Sequence, residues 1–220
     1  FLEGIPGKFQ NLYVIPNSLN KNLKLNKKKD KNIIFVGRIV EEKGVSIYLK
    51  SVINLAPRYK DWKFILIGSS KAGIKKPRTL FEKKIYKSFR NIGENVEYLG
   101  YLKNDLVKKI MEKSSILVVP SIWDEPFAIT ALEGLSNKMA VISSKVGGLQ
   151  EVVKNRGILI SNINESKLIK HLENLIINKK RLNECQNSSW NNYIYDQHTV
   201  SDMQDKIREK ILKNTQIIRK

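Results

Sequence analysis

The chain has 220 residues and carries 40 Lys and Arg against 21 Asp and Glu, a net charge of +19, with room for one domain or one and a fraction. Hydrophobic residues make up 41% against only 12 Gly and 6 Pro, which excludes a disordered or collagen-like chain and supplies one buriable core. No window reaches the apolar length of a membrane span, and the single cysteine, Cys185, excludes an internal disulfide, so a cytoplasmic setting is expected. The first residue is Phe1 with no basic-then-apolar leader after it, so the expectation is a piece of a longer chain.

In chain order, short runs rich in Val, Ile and Phe recur too far apart for hairpins. Each is followed by a helical pattern, which is the alternation of a parallel sheet. Strands are predicted at 12–15, 33–36, 64–67, 96–99, 116–119, 140–142 and 158–160. Several are apolar on consecutive residues, as strands covered on both faces are. Helices are predicted at 45–56, 79–91, 104–113, 127–136 and 149–154. The polar, basic stretch 20–32 reads as a surface loop. From Glu165 onward only helical periodicity remains, ending in a stripe of Val200, Met203, Ile207 and Ile211. The predicted fold is a doubly wound α/β domain, Rossmann-like, with a helical C-terminal extension. Its ligand belongs at the carboxyl ends of the strands, where the strand order reverses.

The charge of +19 by itself raises a nucleic-acid or anionic-membrane partner. The lysines are scattered through linkers and helix faces, however, which reads as a compositional bias. The densest group is Lys71, Lys75, Lys76, Arg78, Lys83, Lys84, Lys87 and Arg90, where Phe81, Ile85 and Phe89 recur every fourth residue. That is an amphipathic helix whose basic face is either solvated or in contact with an anionic lipid surface or a phosphate-bearing acceptor. No reading helix or aromatic stacking platform is visible, so no nucleic acid is expected as a partner. His171 and His198 lie in the helical tail without the spacing of a metal site, and no metal is expected.

Small or turn-forming residues follow most strands, and two loops add charge. The first runs from Gly37 and Arg38 through Glu41 and Glu42 to Lys43 and Gly44. An arginine at a strand end offers a planar fork for phosphate oxygens, and a lysine at a helix entrance adds a point charge. Diphosphate is one guest for this pair; surface pairing of Arg38 and Lys43 with Glu41 and Glu42 is the alternative. The second loop spans 120–134, with Pro126 at the first helical position and the amides of Phe127, Ala128 and Ile129 free to meet an anion. Glu133 lies two turns further along that helix, ~9 Å from Phe127, in reach of a ribose, while Glu125 faces whatever hangs beyond the β-phosphate. A third element, Val146-Gly147-Gly148, is either a tight turn or backbone approaching a ligand. Trp123 either lines a ligand pocket or anchors its loop, Trp190 and Tyr193 read as core contacts of the tail, and Cys185 has no basic partner that would make it a nucleophile.

Five motifs in one order, FVGR at 35–38 with Lys43-Gly44, LIGS at 66–69, YLGYL at 98–102, VVPSIWDEPFAITALEG at 118–134 and VISSKVGGLQEVV at 141–153, resemble the family 4 retaining glycosyltransferases. The resemblance covers 14–154, and Val14-Ile15-Pro16-Asn17 is similar to the opening of that family's C-terminal domain. It implies one half of a GT-B fold, with 1–12 the end of an interdomain linker, 13–180 a nucleotide-sugar-binding domain, and 181–220 a helical tail packing toward an N-terminal domain. By resemblance Arg38 and Lys43 contact the diphosphate, Glu133 the ribose and Glu125 the transferred sugar. The Phe127 to Ile129 backbone meets sugar and phosphates, Tyr101 and Leu102 the base edge, and Gly37 and Ser121 the same pocket. Two departures stand out: Ala128 replaces a common glycine, and Gly68-Ser69-Ser70 lacks a second glycine.

The expected activity is transfer of a sugar from a nucleoside diphosphate to a glycan, lipid-linked or small-molecule acceptor in glycan or polysaccharide biosynthesis. No cofactor is expected, and the chain alone is expected to bind donor and turn over little. A phosphorylase or sucrose-synthase-like GT-B enzyme, and more distantly a basic nucleic-acid-binding module, are the alternatives. Peripheral contact with the cytoplasmic membrane face fits the basic helix.

Overall fold

A computed structural model of the chain describes residues 13–23, 28–74 and 76–218. Six parallel strands, β1 (Asp30–Val36), β2 (Lys63–Ile67), β3 (Val96–Gly100), β4 (Ser114–Val119), β5 (Ala140–Ser144) and β6 (Ile158–Ile160), form one sheet in the order β3-β2-β1-β4-β5-β6. Helices connect them: α1 (Val45–Leu55), α2 (Leu80–Arg90), α3 (Asn104–Lys113), α4 (Ile129–Ser136) and α5 (Gly147–Val153), then α6 (Glu165–Ile177), α7 (Lys179–Asn191) and α8 (Gln197–Ile218).

Both faces of the sheet are covered, which is why its strands are apolar on consecutive residues. Side chains alternate along a strand, so Ile33, Phe35, Phe64 and Ile116 join α1, α2 and α6 in one core. Ile34, Ile65, Leu117 and Val141 join α4 and α5 in the other. At the centre of the first core Tyr48 is fully buried, and its hydroxyl donates to the carbonyls of Ile33 (2.9 Å) and Ile65 (3.2 Å).

The first expected strand does not form. Residues 13–15 lie outside any ladder, with Val14 and Ile15 exposed, and Leu12 lies outside the described residues. Both sides of β1 are taken by β2 and β4. The segment is held instead by Leu19 N–H on the Tyr195 carbonyl (2.8 Å) and Asn22 N–H on the Ser136 carbonyl (3.0 Å). The expected loop 20–32 gives up its last three residues to β1, and 24–27 lie outside the described residues.

The division at residue 180 falls inside α7. This helix packs on α4, α6 and β5, and Gln186 Nε2 donates to the Ser115 carbonyl at the start of β4 (3.2 Å). Tyr193, Tyr195 and Val200 are buried, Tyr193 against Leu19, whose carbonyl accepts from its hydroxyl (2.5 Å). The domain therefore takes in what was expected to be the start of the tail, because these aromatic residues bury apolar surface that α4 and α5 would otherwise expose.

Lys29 shows how a charge is tolerated beside this core. Its ammonium donates to the carbonyls of Glu112 and Asn137 (2.6 Å for the latter), near the ends of α3 and α4, where unpaired carbonyls collect. Burial lowers its pKa from 10.5 to about 8, Glu112 opposing and Lys138 adding. The folded chain thus releases this proton before the unfolded chain does. Between about pH 8 and 10.5 the unfolded state binds more protons, and this group's contribution to stability rises with pH. In denaturant melts from pH 8 to 10.5 the wild type should gain stability relative to Lys29→Met as the pH rises; identical slopes in the two proteins would contradict the assignment.

Candidate functional site

The strand order reverses between β1 and β4, whose connections leave to opposite sides and open a cleft at their carboxyl ends. Two adjoining hollows of about 210 and 270 Å³ fill it, sharing Val36, Gly37 and Thr130 as their common wall.

The first hollow is built around one ion pair. After β1 the chain makes a 3-10 turn, Glu41–Lys43, that ends at Gly44 in the left-handed region (φ 68°). A Cβ on Gly44 would sit 1.8 Å from the Pro120 carbonyl oxygen, so the start of α1 is pressed onto the end of β4. Ile122 N–H donates to the Glu42 carbonyl (2.9 Å) and locks the two loops together. Lys43 Nζ therefore lies 2.5 Å from Glu125 Oε1, with side chains 22% and 9% exposed, and Ser121 Oγ donates to the same oxygen (2.6 Å). Lys43 pairs with Glu125, not with Glu41 or Glu42. Arg38 is exposed, forms no ion pair among the described residues, and lines the second hollow. The two cations thus flank the shared wall from either side.

The paired glycines after β5 serve as a turn that supports this loop. Gly147 N–H donates to Asp124 Oδ1 (2.9 Å) and Gly148 N–H to the Glu125 carbonyl (2.6 Å). Built Cβ atoms there would lie 2.6 Å from Glu125 N and 2.7 Å from the Pro126 carbonyl oxygen, so glycine lets the two backbones touch. Trp123 stands 42% exposed at the rim, its ring 5.8 Å from Lys43 Nζ.

Pro126 is not the first residue of the helix: α4 starts at Ile129, with Ala128 as its cap at φ −86°, ψ 72°. Ile129 N–H is taken up by the Phe127 carbonyl (3.0 Å), so the first-turn amides without a carbonyl acceptor four residues back centre on Thr130 and Ala131. The Glu125 carbonyl is taken by Gly148 N–H, and the chain bends at Pro126 before the helix begins. Phe127, Ala128 and Ile129 still line the first hollow. Glu133 is now one turn into the helix, about 6 Å along its axis from Ile129.

The second hollow gathers Arg38, Gly68, Tyr101, Leu102, Asn104 and Glu133. Burial pushes the Glu133 carboxyl above its ordinary pKa, and Lys108 partly offsets this. The eleven residues singled out from the sequence, Gly37, Arg38, Lys43, Tyr101, Leu102, Ser121, Glu125, Phe127, Ala128, Ile129 and Glu133, all line one hollow or the other. The sequence reading missed Thr130, which borders both, and Asn104 at the start of α3. A helix start placed at Ile129 would have pointed to Thr130 as the residue presenting its amide.

No three His, Cys, Asp or Glu side chains among the described residues gather in a group able to hold a metal ion. His171 is half-buried in α6, His198 pairs with Asp202 on the surface of α8 (3.2 Å), and burial pushes the Cys185 thiol up. No helix among the described residues is long and apolar enough to cross a membrane.

An uncharacterized glycosyltransferase of Methanocaldococcus jannaschii is 33% identical over 169 residues, covering 76% of this chain and 44% of the relative. The lipopolysaccharide 1,2-N-acetylglucosaminetransferase of Salmonella typhimurium is 26% identical over 121 residues, 55% of this chain and 32% of the relative. The chain therefore spans less than half the length of these relatives. Among solved structures, Anabaena HepE in complex with UDP-glucose superposes with a TM-score of 0.67 at 18% identity, over 84% of this chain and 49% of that one. That likeness is one of fold. The model of the glycosyl transferases group 1 family matches residues 18–192, and the chain belongs to that family.

Proposed function

We propose that this domain binds a nucleoside-diphosphate sugar, and that the protein to which it belongs transfers the sugar, with retention at the anomeric carbon, to an acceptor in glycan or polysaccharide assembly. The carrying observation is the pair of adjoining hollows at the β1/β4 reversal, one around Lys43 and Glu125, the other around Tyr101 and Glu133. Base and ribose fit the second hollow, where the Glu133 carboxylate accepts from ribose hydroxyls. The diphosphate crosses the shared wall between Arg38 and Lys43 beside the first turn of α4. The sugar then lies in the first hollow, facing Glu125 and Ser121.

As the glycosidic bond breaks, negative charge builds on the leaving diphosphate. Arg38, Lys43 and the α4 amides stabilise that charge more than the ground state, which is what lowers the barrier. These fixed cations do the work a metal ion would, so the proposal needs no cofactor. Its support in other proteins is the lipopolysaccharide transferase relative and the UDP-glucose bound by HepE. The acceptor is assigned to an N-terminal domain across the cleft, and the domain alone would bind donor with little turnover. A cytoplasmic location, with the basic face of α2 resting against the inner membrane surface, fits this reading.

Titration calorimetry on the intact protein with UDP, GDP and ADP tests it. At least one should bind with Kd below about 1 mM, and Glu133→Ala should weaken it about tenfold. No heat from any of the three at millimolar concentration ends the proposal.

A further inference from the structure

Glu82 is a fully buried acid that the proposed chemistry does not use. It sits in the first turn of α2, whose cap is Thr79, the Thr79 Oγ1 accepting from Glu82 N–H (3.0 Å). Its carboxylate turns inward and collects four hydrogen bonds. Ser70 donates from both its amide (3.0 Å) and its hydroxyl (2.6 Å), Arg78 from its amide (2.9 Å) and Tyr98 from its hydroxyl (3.2 Å). Burial by itself would raise this carboxyl's pKa; the bonds outweigh it and hold the group below its ordinary value.

Two of those partners, Ser70 and Arg78, lie between β2 and α2, and the third, Tyr98, lies on β3. Tyr98 shares its hydroxyl proton with the Gly68 carbonyl (3.1 Å), and Gly68 N–H donates to the Gly100 carbonyl (2.8 Å). Gly68 itself has φ 136°, where a Cβ would lie 1.8 Å from the Gly37 carbonyl oxygen. The Ser69 carbonyl accepts from Ile39 N–H (3.2 Å). Gly68, Ser69 and Ala72 line the second hollow together with Glu133. The family resemblance left Gly68-Ser69-Ser70 unexplained for want of its second glycine. Here the serine in that place supplies two donors to a buried acid.

We propose that Glu82 is a positioning residue for the donor nucleotide: by holding Ser70, Arg78 and Tyr98 at once, it fixes the stretch 68–72 after β2 as a wall against which the base and ribose lie. This rests on the donor reading above. It assigns Glu82 no contact with the diphosphate, which belongs to Arg38 and Lys43. Loss of the clamp should therefore weaken ligands that carry a base and spare those that do not.

The test compares UDP, GDP or ADP, whichever the intact protein binds, with inorganic pyrophosphate in wild type, Glu82→Gln, Ser70→Ala and Glu133→Ala. Glu82→Gln turns an amide N–H toward donors that need an acceptor. It should weaken the nucleotide about tenfold and leave pyrophosphate within about twofold of wild type. In turnover the donor KM should rise while kcat holds. Equal nucleotide affinity in wild type and Glu82→Gln overturns the proposal, as does equal weakening of nucleotide and pyrophosphate, the mark of a general structural loss. Should Glu82→Gln not fold, Ser70→Ala decides. That change removes one of the four bonds: a twofold to threefold loss confined to the nucleotide supports the clamp, and no loss overturns it. Failure of the wild type to bind any nucleotide would defeat the donor reading itself. Normal wild-type binding lost in Glu133→Ala but kept in Glu82→Gln would defeat only the clamp.

Discussion

Replacing Lys43 by methionine is expected to lower sugar transfer by the intact protein about 10²–10³-fold, mostly in kcat. The lysine is the fixed positive charge of the first hollow, held at 2.5 Å from Glu125 in a pair that is already mostly out of water. In the proposed reaction a charge so placed needs no reorganisation when negative charge develops beside it. The same substitution leaves Glu125 with Ser121 as its remaining side-chain partner, at a cost to stability of about 1–3 kcal/mol. The two effects separate in the double variant Lys43→Met/Glu125→Gln. It should recover most of the lost stability, because no unpaired carboxylate remains, and none of the activity. Steady-state kinetics and urea melts on the three proteins read both. Activity of Lys43→Met within about tenfold of wild type would take the lysine out of the machinery.

Gly44→Ala should destabilise the domain by about 4 kcal/mol or more. The added Cβ would stand 1.8 Å from the Pro120 oxygen and 2.7 Å from its carbon, both backbone atoms at the end of a buried strand that cannot turn aside. The left-handed φ of 68° adds its own penalty. Gly73→Ala is the control. It has a positive φ of 82° with nothing within 4 Å of the new atom, so it should cost only about 1–2 kcal/mol. Urea midpoints compared at constant slope settle the matter, and equal losses would show that close contact with β4 is not what demands glycine at 44. The seam that Gly44 permits is also what carries Lys43 to Glu125.

Most of the sheet was legible because its strands are buried on both faces and read as continuous apolar runs. The predicted 116–119 grew only to Ser114–Val119, and 140–142 to Ala140–Ser144, the added serines being buried too. The failure at 12–15 has the same root: an apolar run signals burial, and nothing in Tyr13-Val14-Ile15 says that the places beside β1 are already filled. Pro126 misplaced the start of α4 by three residues because the deciding contact comes from Gly148, beyond the next strand. Residues lining the cleft could be named one at a time, since most of them follow a strand end. Their pairings could not, because Lys43 and Glu125 are 82 positions apart and only the strand order brings them together. Glu82 was overlooked for a related reason: Thr79-Leu80-Phe81-Glu82 looks like an ordinary capping signature, and its use as an anchor for Ser70 and Tyr98 appears only in three dimensions.

The strand reversal between β1 and β4 carries one last consequence. The first hollow draws its walls from two distant parts of the chain, one at 35–43 before β2 and the other at 119–130 from the end of β4 onward. Neither part encloses the hollow by itself, and the long loop between them must close before the two meet. A partly assembled domain thus lacks this hollow, whose presence reports the pairing of β1 with β4.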